Sequence, residues 1–308
     1  MSVIELNSLS KWYGEVIGLN NVTVTIDRGI TGLVGRNGAG KSTLMGLAVG
    51  QLRPSKGSIR VFGQGVWNSP SVLTRIGYCP EDDAFWPGLT GFHFVRFLAR
   101  ASGLRGAQAV STARYAIERT GMTEHAGRAI RTYSKGMRQR IKIAQAIVHR
   151  PQLLILDEPF TGTDPVARHE LAALLRELAE QGVDILMSSH ILHEIEALTK
   201  QILMIDHGRI VAQGVLQDVR RRLHHRLHAI RVRVNDPRHL AAALVRLDFV
   251  SGLRIVAAGT LMIETPTPDR LYDCLPRLIL EGDLAVQEIA AADESLEAVF
   301  GYLTAEAG

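Results

Sequence analysis

An α/β fold built on a parallel sheet is predicted for most of this chain, on three observations. Runs that are apolar throughout, such as Ile30-Thr31-Gly32-Leu33-Val34, Leu153-Leu154-Ile155-Leu156 and Ile202-Leu203-Met204-Ile205, alternate with helical patterns. Strands buried on both faces read this way, and helices must then cover both faces of the sheet. Two of these runs also end in chemistry: the first in a glycine-rich loop, the second in a pair of acids.

The elements follow in order. Val3-Ile4-Glu5-Leu6-Asn7-Ser8-Leu9 and Val22-Thr23-Val24-Thr25-Ile26 alternate as half-buried strands, with a turn expected at Lys11-Trp12-Tyr13-Gly14. After the strand at Ile30–Val34 and its loop, Ser42 to Val49 starts a helix, and Gly57 to Gly63 is a glycine-bounded strand. The strand Ile76-Gly77-Tyr78-Cys79 leads into the acidic loop Glu81-Asp82-Asp83. From about Thr90 to Val148 the pattern turns helical: Phe94, Phe97 and Leu98 share a face, as do Ile141, Ala144 and Ile147. This reads as a helical subdomain, about 90–148, inserted between strands. A helix from Val166 to Gln181, strands at Val183–Ser188 and Ile202–Ile205, and a turn at Asp206-His207-Gly208-Arg209 complete this part.

Beyond the basic segment Arg220-Arg221-Arg222-Leu223-His224-His225-Arg226-Leu227-His228 the style changes. Strands are expected at Ala229–Val234, Leu253–Ala257, Leu261–Thr265 and Leu284–Ile289, with helices at His239–Leu247, Leu271–Leu280 and Leu296–Leu303. That is a small α+β unit of a size that can fold alone. The boundary is placed near Leu223, giving domains 1–223 and 224–308. The basic segment reads as a solvated helix end joining them, with contact to anionic lipid headgroups or nucleic acid as the alternative.

Composition narrows the class. Hydrophobic residues at 46% and charged residues at 21% are those of an ordinary globular protein. Two cysteines, Cys79 and Cys274, make a disulfide framework improbable and fit a reducing, cytoplasmic setting. No signal peptide is expected, and no window offers the ~18 consecutive apolar residues of a spanning helix. Work at a membrane therefore requires recruitment. The net charge of +4 implies at most a weak affinity for polyanions.

The loop is Gly35-Arg36-Asn37-Gly38-Ala39-Gly40-Lys41-Ser42-Thr43, which fits G-x-x-x-x-G-K-[ST] at every fixed position. A strand precedes it and a helix follows, the context this motif needs. Its glycines let backbone N–H groups turn towards a phosphate, and the helix N-terminus adds partial positive charge. Lys41 can reach the β- and γ-phosphates, and the Ser42 hydroxyl can ligate Mg²⁺. The strand Leu153–Leu156 delivers Asp157 to the same sheet edge, where a carboxylate can hold Mg²⁺; Glu158 suits a general base that orients water.

At these residues the chain resembles the ATPase subunit of an ABC transporter, over roughly Met1 to Leu216. Tyr133-Ser134-Lys135-Gly136-Met137-Arg138-Gln139-Arg140 is similar to the family signature. The resemblance implies a P-loop NTPase core of the ABC ATPase type, with an antiparallel β subdomain and the inserted helical subdomain. It also implies a homodimer with two ATPs sandwiched head to tail, Ser134, Lys135 and Gly136 contacting the nucleotide on the opposite copy. Ser188-Ser189-His190 resembles the switch segment, with His190 positioning Glu158 and water. Gly162-Thr163-Asp164-Pro165 resembles the loop that couples the two sites, with Asp164 its most transferable residue. Tyr13 occupies the place of the adenine-stacking aromatic, and Trp12 beside it is the alternative.

The departures are informative. Tyr133, Lys135 and Met137 replace the usual leucine, glycine and glutamine of the signature. Glu81 stands where a glutamine usually contacts the membrane subunit; its charge would either strengthen a metal contact or repel the γ-phosphate. With the run Asp157-Glu158-Pro159-Phe160-Thr161-Gly162-Thr163-Asp164-Pro165 and the ending Glu294-Ser295-Leu296-Glu297-Ala298-Val299-Phe300, these features resemble the exporter ATPases for drugs, bacteriocins, sodium or lipids. The resemblance implies ATP and Mg²⁺ as ligands, a separate polytopic membrane permease, no nucleic acid, and a peripheral place on the cytoplasmic face of the membrane. The alternative is a soluble ABC ATPase acting on nucleic acid or ribosomes. A regulatory role for the C-terminal unit stands beside either.

Overall fold

A computed structural model describes residues 2–216, 218–219, 228–257 and 259–291. The chain forms two compact units, residues 1–215 and 216–308. The expected last helix, the exporter-like ending and most of the basic segment around Leu223 lie outside the described residues.

The first unit opens with a long hairpin, β1 (Ser2–Tyr13) and β2 (Val16–Asp27), followed by β3 (Ile30–Val34) and α1 (Lys41–Ala48). Next come β4 (Lys56–Val61), β5 (Gln64–Gly65), α2 (Pro70–Leu73) and β6 (Ile76–Cys79). Three helices then run without a strand between them: α3 (Gly91–Ala101), α4 (Gly106–Arg119) and α5 (Lys135–Ile147). The chain returns through β7 (Leu153–Leu156), α6 (Pro165–Glu180), β8 (Asp184–Ser189), α7 (Leu192–Glu196), β9 (Gln201–Asp206) and β10 (Arg209–Val215).

Two sheets result. β2-β1-β4-β5 is antiparallel, and β10-β9-β3-β8-β7-β6 is parallel except for its edge strand β10. β3, β7 and β8 are therefore neighbours that all end at one edge. Open α/β sheets bind ligands at that carboxyl edge. One core holds the sheets together: Ile4 and Val24 from the first, Leu33, Leu186 and Ile205 from the second, and Leu44, Met45 and Leu47 of α1, all buried.

The helices start where local chemistry permits. The Thr90, Ser134 and Asp164 side chains each accept a first-turn N–H, from His93, Met137 and Ala167 at 3.2, 3.2 and 2.9 Å. Pro165 then pre-sets the first residue of α6.

One expectation is corrected. Lys11-Trp12-Tyr13 is strand and not turn; β1 pairs with β2 as far as Tyr13↔Val16, and the reversal falls at Gly14-Glu15. Register shifts near Leu9 and Lys11 interrupt the alternation there, so the pattern breaks while the pairing continues.

The second unit is a four-stranded antiparallel sheet in the order β12-β13-β11-β14, from β11 (His228–Val234), β12 (Gly252–Ala257), β13 (Thr260–Thr265) and β14 (Val286–Ala291). Helices Pro237–Leu244 and Pro268–Glu281 bury Leu240, Leu244, Leu271 and Leu275 against Ile230, Val232, Leu261 and Ile263. Across the other face Arg231, Arg233 and Arg254 pair with Glu288 and Glu264.

Candidate functional site

The loop after β3 is held by its own lysine. Lys41 is buried, and its Nζ donates to the carbonyls of Gly35 at 2.8 Å and Arg36 at 3.3 Å. The backbone is left-handed at Gly40, φ 111°, and a Cβ there would lie 2.6 Å from the Gly18 carbonyl. Glycine is thus required twice over, by conformation and by space. Gly40 precedes α1, so the first-turn amides of that helix border the loop.

Across the sheet edge stand the two acids. Asp157 and Glu158 are both buried, at the end of β7. Glu158 Oε1 lies 3.4 Å from Lys41 Nζ, and Glu158 Oε2 lies 2.8 Å from Nδ1 of His190, half-exposed just beyond β8. An ammonium, a carboxylate and an imidazole thus form one chain across three adjacent strands. Oε1 has no hydrogen-bond partner, so a buried acceptor remains open beside the lysine. Glu158 is also held left-handed, φ 49°, a conformation costing about 1–3 kcal/mol that surrounding structure must enforce.

Ser188, which sequence reasoning passed over in favour of His190, supplies much of that enforcement. Its fully buried Oγ donates to Asp157 Oδ1 at 2.5 Å and accepts from the Glu158 N–H at 2.8 Å. One hydroxyl therefore orients both acids. Ser189 does similar work one residue on, donating to buried Glu194 and accepting from the Ile191 N–H, which shapes the turn carrying His190.

Tyr13 is 46% exposed and its hydroxyl sits 3.4 Å from Thr43 Oγ1, so an aromatic face stands beside the loop. Trp12, its neighbour on β1, is engaged by the Lys56 ammonium at 5.3 Å from its ring centre. The Lys11 ammonium lies 5.3 Å from the Tyr13 ring centre.

Ser134, Lys135 and Gly136 form a second group, at the start of α5. The Lys135 stem crosses Gly162, where a Cβ would fall 2.3 Å from Lys135 Cδ, and the positive φ of 74° there favours glycine. Gly162 leads to Asp164, whose N-cap bond to the Ala167 N–H holds its carboxyl below the ordinary range. Among the described residues, no hydrogen bond or ion pair joins Ser134, Lys135 or Gly136 to Lys41, Asp157, Glu158 or His190.

Glu81 is exposed, and its main-chain carbonyl accepts from the buried Lys142 amine at 2.6 Å. Lys142 also reaches the Pro80 carbonyl and Asp83, and Arg138 pairs with Asp83, so α5 grips the loop after β6. At the root of that loop, burial pushes the Cys79 thiol up to about 12, so it stays a thiol, and it accepts from Gln139 of α5. Burial and the nearby Asp157 likewise raise the Tyr78 phenol.

Known proteins bear on this arrangement. Residues 19–161 match the family model described as ABC transporter. The chain is 35% identical over 309 residues to the daunorubicin/doxorubicin resistance ATP-binding protein DrrA of Streptomyces peucetius, covering 98% of this chain and 92% of that one. It is 37% identical over 223 residues to the bacitracin transport ATP-binding protein BcrA of Enterococcus faecalis, 71% of each chain. Among solved structures, an ATP-binding subunit of an ABC transporter superposes with TM-score 0.66 at 32% identity, covering 72% of this chain and 93% of that one. A dimeric bacterial ABC transporter cassette shares the fold at TM-score 0.65 and 20% identity, over 69% of this chain and 98% of that one. The chain therefore belongs to the ABC transporter family, among its ATP-binding subunits, and is an ATPase.

Proposed function

We propose that two copies of this chain close head to tail on two ATP molecules and that hydrolysis powers export through a separate membrane protein. The observation that carries this reading is the Lys41–Glu158–His190 chain at the ends of β3, β7 and β8.

In the proposed site the amides of Gly35 to Thr43 surround the phosphates, and Lys41 exchanges its loop carbonyls for phosphate oxygens. Tyr13 stacks on the adenine. Glu158, oriented by Ser188 and His190, accepts a proton from the attacking water while His190 faces the γ-phosphate. Ser134, Lys135 and Gly136 of the second copy meet that phosphate at the start of α5, and Asp164 links one site to the other.

The oxygens present suit Mg²⁺: the Ser42 hydroxyl, and Asp157, whose Oδ2 remains after Ser188 takes Oδ1. Glu81 is a further carboxylate on the neighbouring loop. When bound, the cation would offset phosphate charge.

Next to the Glu81 loop, Trp86 and Phe97 are each about half exposed, packed edge to face 5.0 Å apart. An exposed aromatic pair beside a loop gripped by α5 supports a protein partner there. None of the described helices is long and apolar enough to cross a membrane. From the transporter family, the permease is read as a second polypeptide and the chain as peripheral on the cytoplasmic face. Relatives named for bacitracin transport and daunorubicin/doxorubicin resistance favour export.

Sedimentation of Glu158→Gln with and without ATP tests the two-copy reading. A dimer formed only with ATP supports it; a monomer at every ATP concentration refutes it.

A further inference from the structure

We propose a phosphate-binding site where α3 ends and α4 begins. An open cavity of about 520 Å³ lies there, bordered by Arg96, Arg100 and Arg105. Leu104, Ala109 and Val110 provide its apolar wall.

The charge is one-sided. Residues 90–132 carry seven arginines against two glutamates, and neither α3 nor the segment 102–105 contains an acid. In α4 the first acid is Glu118, about two turns beyond Val110, where the cavity ends. The ion pairs of the helical segment involve Arg119, Arg138, Arg140 and Lys142. Among the described residues none reaches Arg96, Arg100 or Arg105; Arg96 lies over the Phe92 ring, 5.6 Å from its centre. Three guanidiniums around one concavity repel each other, and an anion between them removes that repulsion.

The backbone adds donors. α4 begins at Gly106 with no side chain capping it and no acid in its first turn. The N–H groups of Gln108 and Ala109 turn back to the Arg105 carbonyl, which leaves those of Gly106 and Ala107 for a ligand. Planar guanidinium forks match phosphate oxygens two at a time. The apolar wall suits the carbon that a phosphate ester carries. The ligand class is therefore a phosphate ester, either a soluble one or the headgroup of an anionic lipid. This site is independent of the ATP reading, since it shares no residue with the loop Gly35–Thr43.

The test uses the full chain labelled with ¹⁵N, titrated with inorganic phosphate and with glycerol 3-phosphate while the Gly106 and Ala107 amide resonances are followed. Flotation with phosphatidylcholine vesicles, with and without phosphatidic acid, is the lipid arm. Shifts at Gly106 and Ala107 assign a soluble ester, whereas flotation confined to acidic vesicles assigns a headgroup. In either case Arg100→Gln and Arg105→Gln should each weaken binding about tenfold or more. Unmoved Gly106 and Ala107 resonances together with equal flotation on both vesicles overturn the proposal. So does binding that survives the double substitution.

Discussion

Ser188→Ala is the perturbation that most closely probes how the site is built. The side chain is fully buried and its one hydroxyl serves two partners, Asp157 Oδ1 at 2.5 Å and the Glu158 N–H at 2.8 Å. Removing it withdraws a hydrogen bond to a carboxylate, worth about 1.5–3 kcal/mol, and leaves a buried amide unpaired, at about 1–3 kcal/mol. The two losses share one atom and do not simply add, so a destabilisation of about 3 kcal/mol is expected. For a unit of this size that lowers Tm by roughly 6–12 °C. All three tryptophans, Trp12, Trp67 and Trp86, lie in residues 1–215, so tryptophan fluorescence reads the unfolding of this unit alone. ATP turnover should fall as well, because the left-handed turn at Glu158 loses its tether, with KM for ATP changing less than kcat. A loss below about 1 kcal/mol with unchanged kcat would refute the claim that Ser188 orients both acids.

Further predictions follow from other contacts. Tyr13→Ala should weaken ATP binding by about 1–3 kcal/mol in calorimetry, the worth of one base–aromatic stack, while Tyr13→Phe should bind nearly as the parent does. Lys142→Met leaves the Pro80 and Glu81 carbonyls without their buried donor; the tryptophan transition should fall by about 1–3 kcal/mol and amide exchange around residues 80–86 should quicken. Burial holds His149 below the ordinary imidazole value, with its Nε2 bonded to the Ile76 carbonyl. The unfolded chain therefore takes up its proton first, and stability is lost as pH falls from about 6.5 towards the folded value. A series of Tm against pH should show a shallower acid-side slope for His149→Gln than for the parent.

Much of the fold could be read from the chain because its parallel strands are buried on both faces and so carry no alternation. The strand Ile76–Cys79 appears in the structure with the expected bounds, and the helix α6 begins within a residue of the expected start. Contacts between distant segments were harder to read. Ser188 sits in an apolar strand and its partner Asp157 is 31 residues away, so nothing local distinguishes it from a chance hydroxyl. Lys142, on a helix rich in basic residues, looks solvent-facing until the carbonyls it reaches, 61 and 62 residues upstream, are in place. The turn at Lys11–Gly14 failed for the opposite reason, since the pairing with β2 outlasts the broken pattern. Strand β10 is not legible in the sequence because a glycine and polar residues dilute its apolar run; its pairing with β9 defines it.

The central claim is that Glu158 is the base of an ATP site completed by a second copy. Phosphate release by the parent and by Glu158→Gln, measured over a range of protein concentrations at saturating ATP, tests it most directly. The parent rate per chain should rise with concentration as dimers form, and Glu158→Gln should release phosphate about 10²–10⁴-fold more slowly while retaining bound ATP. A rate per chain independent of concentration, or a variant within about threefold of the parent, would contradict the account.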